Sequence, residues 1–270
     1  MYKRSRPGWI VQKMKKEGLV FRKRFGQNYL IDDNALERIM EAIDLKGGEK
    51  VLEIGPGLGA LTERLLNNDI ELYAVEIDRD LGRILERDFN QENFHLIVED
   101  VLKVDPLSFP QPLVIIGNLP YYITSAIIMH FLESSLDISS MVIMMQKEVA
   151  QRLTASPGSK DYGVLTVITQ IYAEVEKLFD VGRNCFMPTP KVESTVVKLW
   201  PGKSASLNEK GLNIIKAAFS QRRKTLNNSL SSAFEKEEVI EALKKADIDP
   251  ARRAESLSTD EFKTLIRLWP

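Results

Sequence analysis

The sequence predicts an α/β fold with a mainly parallel, doubly wound sheet, followed by a small all-helical domain. Between residues 49 and 146, short apolar runs alternate with amphipathic segments of helical length, and parallel strands need such crossovers between them. Beyond residue 208 no run typical of a strand remains. We therefore divide the chain into a basic N-terminal arm (residues 1–24), an α/β domain (25–202) and a helical domain (203–270).

The predicted strands are short and rich in Val, Ile and Leu, which indicates burial on both faces of a sheet. They are VLEI (51–54), ELYAVEI (71–77), FHLIV (94–98), PLVIIGN (112–118) and SMVIMMQ (140–146), with a later pair, EVEKLFDV and STVVKLW. Predicted helices follow the capping residues Asp32–Asp33 and Asp78, and also cover residues 60–66 and 124–134. Elements of both types therefore alternate as a doubly wound sheet requires.

Charge is unevenly distributed along the chain. Residues 1–24 carry a net charge of +8 and the remainder −9, so the whole chain is near neutral at −1. A basic arm on an acidic body is typical of a protein with an anionic partner, and a solvated, disordered tail is the alternative. Composition alone leaves both interpretations open.

Several classes of site are not expected. The chain has one cysteine, Cys185, and two histidines without ligand spacing, so no disulfide and no metal site is predicted. No apolar run is long enough for a signal peptide or a membrane span. We expect a cytoplasmic protein without membrane contact.

A glycine-rich turn follows the first strand of the predicted sheet. In VLEIGPGLGALTERL, Gly55, Gly57 and Gly59 separate a strand from a helix, a pattern that lets a ligand approach the backbone closely. Glu76 ends the next strand and could accept hydrogen bonds from the hydroxyl groups of a ribose. The same spacing fits a dinucleotide fingerprint, so an NAD-dependent oxidoreductase is one interpretation.

Two further acidic residues favour a different cofactor. Glu53 lies two residues before Gly55, where its carboxylate would repel a pyrophosphate but attract the sulfonium and ammonium groups of S-adenosylmethionine. Asp100 ends the third strand and could accept a hydrogen bond from an adenine amine. Because the carboxyl ends of parallel strands share one edge of the sheet, the acids should converge on one ligand. The set predicts a site for an adenosyl cation.

The fourth strand ends in a rigid polar platform, GNLPYYI (117–123). Asn118 has an amide oxygen that can accept a hydrogen bond, and the Leu119 carbonyl is a second acceptor, fixed by Pro120. Tyr121 offers a flat face for stacking. Two convergent acceptors beside an aromatic ring suit the amine of a nucleobase, and hydrogen bonds to that amine stabilise the positive charge that develops on it during methyl transfer. Such a slot requires an unpaired or flipped base.

These motifs occur in an order that resembles a known family. FGQNYL (25–30), EIGPGLGALT (53–62), EIDRD (76–80), GNLPYYI (117–123), QKEVAQRL (146–153), FMPTPKVES (186–194) and FSQRRKTLNNSL (219–230) all match. The chain resembles the ribosomal RNA adenine dimethyltransferases along essentially its whole length, and most closely those of the bacterial small subunit. Compared with the family, Tyr29 replaces the more usual Phe and Cys185 lies unusually next to Phe186.

The resemblance implies a Rossmann-like class I methyltransferase fold and S-adenosyl-L-methionine as the methyl donor. It also implies that Tyr121 and Phe186 sandwich the target adenine. The product would be N6,N6-dimethyladenosine at two adjacent adenosines, in a hairpin loop near the 3′ end of the small-subunit (16S) RNA. The implied cofactor-binding residues are Asn28, Leu30, Gly55, Gly57, Glu76, Asp100 and Asn118, and the implied catalytic residues are Asn118, Leu119, Pro120, Tyr121 and Phe186.

Basic residues around these motifs are predicted to contact RNA phosphates. They are Arg22, Lys23, Arg24, Lys147, Arg152, Arg222, Arg223 and Lys224. The expected partner is 16S RNA within a precursor of the small subunit, bound by a monomer. Three alternatives remain: an erythromycin-resistance methyltransferase acting on large-subunit RNA, an NAD-dependent oxidoreductase, and a non-catalytic assembly factor.

Overall fold

A computed structural model describes residues 2–22, 26–202 and 206–270 of the chain. The helices of the described residues are α1 (Pro7–Glu17), α2 (Asp33–Ile43), α3 (Thr62–Leu65), α4 (Arg79–Asp88), α5 (Thr124–Leu132), α6 (Lys147–Leu153), α7 (Val164–Tyr172), α8 (Glu209–Ala218), α9 (Leu226–Leu230), α10 (Lys236–Lys245) and α11 (Thr259–Leu268). The strands are β1 (Tyr29–Leu30), β2 (Glu49–Ile54), β3 (Ile70–Val75), β4 (Phe94–Ile97), β5 (Leu113–Asn118), β6 (Ile138–Gln146), β7 (Ala173–Val181), β8 (Phe186–Met187) and β9 (Ser194–Pro201).

The main sheet has the strand order β4-β3-β2-β5-β6-β9-β7. The pairs from β4 to β6 are all parallel, and β9 runs antiparallel to β6. The chain reverses its direction of winding between β2 and β5, and ligands of doubly wound sheets bind beyond the carboxyl ends of the strands at such a point. The predicted α/β class and mainly parallel sheet are confirmed.

Two compact units are distinguished by their internal packing. The first comprises Met1–Ala150 and Glu176–Pro201, and the second comprises Gln151–Val175 and Gly202–Pro270. The second unit therefore contains a segment, Gln151–Val175, that lies upstream of the predicted boundary at residue 202. The boundaries of the arm and of the two domains stay predictions.

In the first unit, the central strands are buried as their composition predicts. Val51, Leu72 and Ile115 are inaccessible to solvent, and α2 packs its apolar face on the sheet because Leu36, Ile39 and Ile43 recur at helical spacing. Asp32 caps this helix by accepting a hydrogen bond from the backbone N–H of Ala35 at 2.8 Å. These contacts hold the loops at the carboxyl edge of the sheet on a rigid support.

The N-terminal segment is ordered, which composition did not predict. Residues Pro7–Glu17 form α1, whose Ile10 and Met14 pack against Leu58 of the glycine turn and Leu81 of α4. Arg4 is only 5% exposed; its guanidinium donates to the Leu58 carbonyl at 2.8 Å and to Asp88 at 3.1 Å. The disordered-tail interpretation is therefore wrong for the described part of this segment.

The second unit is built from helices around its own apolar core. Ile215 of α8, Leu230 of α9, Leu243 of α10 and Phe262 of α11 are at most 1% exposed. Ser258 and Glu261 form a reciprocal capping box at the start of α11, with hydrogen bonds of 3.1 and 2.7 Å. Each helix is short, so its stability depends on this shared core.

Among the described residues, no helix combines the length and apolar character needed to cross a membrane.

Candidate active site

A cleft lies at the carboxyl edge of the sheet in the first unit. Its walls are formed by the loops that follow β2, β3, β4 and β5, together with the segment that leads into β1. The predicted cofactor residues all line this cleft, namely Asn28, Leu30, Gly55, Gly57, Glu76, Asp100 and Asn118. Leu119, Pro120 and Tyr121 line it as well. The structure therefore brings together side chains that are up to 93 residues apart in sequence.

The glycine turn adopts a backbone conformation that other residues rarely take. Gly55, Gly57 and Gly59 have φ angles of 72°, 60° and 81°, all in the left-handed region that favours glycine. A Cβ atom on Gly57 would lie 3.0 Å from the Tyr29 ring. The turn thus needs glycine both for its dihedral angles and for the close approach of the segment that covers it.

Gly59→Ala should destabilise the first unit far more than the same change at a comparable glycine. A Cβ atom on Gly59 would lie 2.6 Å from the ring of Phe89, and that ring cannot move freely because the Arg4 guanidinium lies 4.2 Å from its centroid. We expect a loss of about 2–4 kcal/mol in the free energy of unfolding, measured by urea denaturation.

Gly48→Ala is the matched control, since Gly48 has the same φ of 81° but no atom within 4 Å of the added methyl group. It should cost only about 1–2 kcal/mol, the strain of a left-handed alanine. Equal losses in the two variants would contradict the packing argument.

Glu76 is hydrogen-bonded to the backbone of the glycine turn. Its carboxylate accepts hydrogen bonds from the backbone N–H groups of Gly57, at 3.1 Å, and Asp78, at 2.9 Å. Burial raises the pKa of Glu76 to about 7 against these two hydrogen bonds, which lower it. The carboxylate oxygens retain lone pairs for further donors, such as the hydroxyl groups of a ribose.

Glu53 lies in the same cleft but behaves differently from the sequence-based expectation. It is 2% exposed and accepts a hydrogen bond from the Thr62 hydroxyl at 2.6 Å. Burial raises its pKa to about 8, so the group is largely neutral at pH 7 in the absence of a cation. A neutral Glu53 carboxyl would not repel a pyrophosphate, so Glu53 does not by itself distinguish the two cofactors.

Asp100 lines the cleft and is the residue predicted to contact the adenine of the cofactor. It caps a short 3₁₀ turn by accepting from the Leu102 N–H at 3.1 Å. This hydrogen bond uses one carboxylate oxygen, and Asp100 still lines the cleft. The geometry is compatible with the predicted contact to an adenine amine.

The amide of Asn118 is held in one orientation. Its Nδ2 atom donates to the backbone carbonyl of Asn28 at 3.0 Å, and the Asn28 side chain in turn donates to the Gly26 carbonyl at 2.9 Å. Because Nδ2 is occupied in this way, Oδ1 is the atom left to accept a proton donor from a substrate. The Leu119 N–H donates to the Met144 carbonyl at 3.1 Å, which fixes the peptide directly before the one that carries the second acceptor.

The turn after Asn118 is tightly braced. The Pro120 carbonyl accepts from the Thr124 hydroxyl at 3.0 Å and from the Ile123 N–H at 3.2 Å. The Tyr121 hydroxyl shares a hydrogen bond of 2.6 Å with Ser194, and partial burial raises its pKa. The Tyr121 ring is therefore anchored at both ends. No local sequence signal predicts this contact, because Ser194 lies 73 residues away.

Phe186 does not take the position expected for one half of a sandwich. It is 2% exposed, pairs with Leu30 in the short β1–β8 ribbon, and lies in the apolar core of the unit. It is not among the residues that line the cleft. Antiparallel pairing with Leu30 places the Phe186 ring in the apolar core of the unit. The role of Phe186 in adenine binding stays a prediction.

Two residues predicted to bind RNA are engaged with acids of the first unit. Arg22 donates to Asp78 at 2.7 Å and also to Asp80, and Lys147 pairs with Glu193 at 2.7 Å and Asp180 at 3.3 Å. Both cations thus have acidic partners within the protein, and their contacts with RNA phosphates stay predictions. Lys23 and Arg24 lie outside the described residues.

In this structure Arg22 also helps to hold the segment that covers the cleft. Its backbone N–H donates to the Gln27 side chain at 2.8 Å, and the Gln27 amide donates to Asp78 at 3.0 Å. Asp78 also donates its backbone N–H to Glu76. The hydrogen bonds thus connect the arm to the predicted ribose-binding carboxylate.

The remaining predicted RNA contacts belong to the second unit or to its border. Arg223 and Lys224 are exposed. Arg222 donates to the Lys160 carbonyl at 2.7 Å while 58% of its side chain stays exposed. Arg152 is exposed at the end of α6. Within the described ranges, no group of three or more His, Cys, Asp or Glu side chains could hold a metal ion.

Comparison with known proteins gives consistent matches along the chain. A family model described as "Ribosomal RNA adenine dimethylase" matches residues 18–269. Proteins named "Ribosomal RNA small subunit methyltransferase A" are similar to the chain: the one from Enterococcus faecalis is 41% identical, covering 93% of this chain and 91% of the relative. The one from Desulfitobacterium hafniense is 45% identical, covering 93% and 92%.

Two solved structures share the architecture. A dimethyladenosine transferase from Plasmodium falciparum has a TM-score of 0.77 and 27% identity, covering 87% of this chain and 94% of its own. The 23S rRNA methyltransferase ErmE has a TM-score of 0.69 and 28% identity, covering 89% and 99%.

Proposed function

Since the chain belongs to the ribosomal RNA adenine dimethylase family, we propose that it acts on the RNA of the small ribosomal subunit. It is a ribosomal RNA adenine dimethyltransferase, and the family, fold and enzyme class expected from the sequence are confirmed. The proposed targets are two adjacent adenosines in a hairpin loop near the 3′ end of 16S RNA, within a precursor of the subunit. Such a substrate implies a cytoplasmic location.

The choice of subunit is supported by the relatives. Those at 40–45% identity carry a small-subunit name, whereas ErmE, named for 23S rRNA, is 28% identical. The oxidoreductase interpretation has no support in the comparisons, and it leaves the Asn118–Tyr121 platform without a role.

The residues of the cleft fit S-adenosylmethionine as the methyl donor. The backbone of the glycine turn leaves room for close approach, and the buried carboxyls of Glu53 and Glu76 suit a ligand with positive charge and paired hydroxyls. When bound, S-adenosylmethionine supplies a methyl group activated by its sulfonium. We assign Asn28, Leu30, Gly55, Gly57, Glu76, Asp100 and Asn118 to its binding.

The observation that carries the proposed chemistry is the fixed Asn118 amide. With Nδ2 held by the Asn28 carbonyl, Oδ1 and the Leu119 carbonyl can accept both hydrogens of an adenine amine. The nitrogen lone pair is then directed away from the ring system, and the positive charge that develops on the amine is stabilised. Tyr121, anchored by Ser194, supplies the stacking face for the flipped base.

The test is incubation of the protein with radiolabelled S-adenosylmethionine and under-methylated small subunits, followed by nucleoside mass analysis. We expect dimethyladenosine in the small-subunit RNA. Label that enters only large-subunit RNA would instead indicate a methyltransferase of the erythromycin-resistance type, which acts on the large subunit. Bound cofactor without label in either RNA would support an assembly role.

Basic side chains of the second unit should strengthen RNA binding without sequence discrimination. Arg223 and Lys224 are exposed beside α9. Replacing both by alanine should weaken RNA binding and reduce the slope of log affinity against log salt by about 2, because about two phosphate contacts are lost. Cofactor affinity should not change.

The matched control is Lys244→Ala with Lys245→Ala, which removes the same charge from exposed positions of α10 in the same unit. An equal change in both double variants would show that net charge, rather than the cluster before α9, determines RNA affinity.

A further inference from the structure

Tyr122 is an exposed aromatic residue at the cleft that the proposed chemistry does not use. Its side chain is 60% exposed, although it directly follows the half-buried Tyr121. Within the described part of the chain, its hydroxyl has no hydrogen-bond partner and its ring no aromatic neighbour. A single exposed apolar side chain is ordinary, but this one lines the same cleft as Asn118 and Tyr121.

The position of the ring is set by the backbone. Pro120 restricts the turn, and two hydrogen bonds to its carbonyl, from Ile123 and Thr124, hold the peptide between Pro120 and Tyr121, directly before Tyr122. On one side the Tyr122 ring faces Gly26, where a Cβ atom would lie 3.7 Å from its Cδ1 atom. Because Gly26 has no side chain, it presents only backbone to the ring, and its φ of 62° favours glycine at this position. Despite this neighbour, 60% of the Tyr122 side chain is exposed.

The geometry points to Tyr122 as the stacking partner for the nucleotide next to the flipped adenosine. This inference rests on the proposed function, since it assumes an RNA with a target base in the Asn118–Tyr121 slot. When one base leaves a stack, its neighbour loses a stacking partner on that side. An open aromatic ring one residue beyond the slot can replace it, and such a contact is independent of base identity.

Stacking of this kind acts on substrate positioning and not on the reacting atoms. Tyr122 has no role in cofactor binding under the proposal, because the carboxylates and the glycine turn hold that ligand. It is a positioning residue, and its loss should raise the KM for RNA more than it lowers kcat. For a substrate with two adjacent adenosines, the ring would hold one of them while the other is methylated.

The test is a double-variant cycle on reconstituted small subunits. The RNA carries either an adenosine or an abasic ribose beside the first target, and the proteins are wild type, Tyr122→Ala and Tyr122→Phe. With intact RNA, Tyr122→Ala should lower kcat/KM about tenfold or more through KM, the effect expected of one base–aromatic stack. Tyr122→Phe should retain the wild-type value, and cofactor affinity should be equal in all three proteins.

With the abasic RNA, wild type should fall to the level of Tyr122→Ala, and the variant should lose nothing further. If the abasic change lowers kcat/KM by the same factor in wild type and Tyr122→Ala, the ring does not contact that base and the inference is overturned. It is also overturned if Tyr122→Ala matches wild type on intact RNA. Failure of wild type to methylate intact small subunits would instead refute the proposed function.

Discussion

Replacement of Asn118 by alanine should reduce methyl transfer by about 10²–10³-fold, the usual effect of removing one group that stabilises transition-state charge. In the structure, Nδ2 of Asn118 is held by the Asn28 carbonyl at 3.0 Å. The free Oδ1 atom is therefore positioned before substrate arrives. Alanine removes this acceptor, and the amine of the target adenine then keeps its lone pair delocalised in the ring. The measurement is single-turnover methylation of small subunits at saturating cofactor.

The fold should survive this change because Asn118 is only partly buried at the end of β5. Asn68→Ala is the matched control: its Nδ2 atom also donates to a backbone carbonyl, that of Arg64 at 2.9 Å, but it lies outside the cleft. We expect wild-type rates from Asn68→Ala. A loss of less than tenfold in Asn118→Ala would mean that the Leu119 carbonyl alone orients the amine.

Much of this site could be predicted because the relevant signals are local. A tight turn is predicted by Gly55, Gly57 and Gly59. Another apolar strand leads into Asn118 and Pro120, and the alternation of strands and helices predicts that it runs parallel to the others. Since the carboxyl ends of parallel strands share one edge, the convergence of Glu76, Asp100 and Asn118 follows from topology alone. The structure places these residues around one cleft as expected.

What could not be predicted depends on long-range packing. The hydrogen bond of Tyr121 to Ser194 joins residues 73 positions apart, and no local pattern encodes such a pair. The arm illustrates the same limit: charge alone predicts an RNA contact for Arg22, whereas its ion pairs with Asp78 and Asp80 depend on long-range packing. A motif predicts that Phe186 binds adenine, whereas its partners in the core determine where the ring lies.

Protonation of the buried acids is a further property that the sequence does not reveal. An aspartate or glutamate in a sequence is read as a negative charge, yet burial raises the pKa of Glu53 to about 8 and that of Glu76 to about 7. Both groups lie within one cleft, and the charge of Glu76 further raises the pKa of Glu53. The cleft is thus only partly ionised near neutral pH, which leads to a prediction about cofactor binding.

Affinity for S-adenosylmethionine should rise with pH between about 6 and 8 and level off above the pKa of Glu53. A cationic ligand binds the ionised carboxyls preferentially, so binding must displace protons wherever the free protein still holds them. The slope can reach about tenfold in affinity per pH unit for each proton displaced. Calorimetric titration across this range, in buffers of different ionisation enthalpy, measures both the affinity and the number of protons released.

The variant that isolates the effect is Glu53→Gln, which can still accept a hydrogen bond from Thr62 but has no charge to titrate. Its affinity for S-adenosylmethionine should depend on pH less steeply than that of wild type, while the amine of the ligand titrates equally in both experiments.

The stability of the free wild-type protein should fall, not rise, as the pH increases. Because the folded-state pKa of Glu53 exceeds the unfolded value, its contribution is fully present below about pH 4.5 and is lost as pH rises through about 8. Glu53→Gln should therefore unfold at a higher temperature than wild type at pH 9 but not at pH 5. Parallel affinity curves for the two proteins would show that Glu53 keeps its proton when the cofactor binds, and that Glu76 alone responds to the ligand's charge.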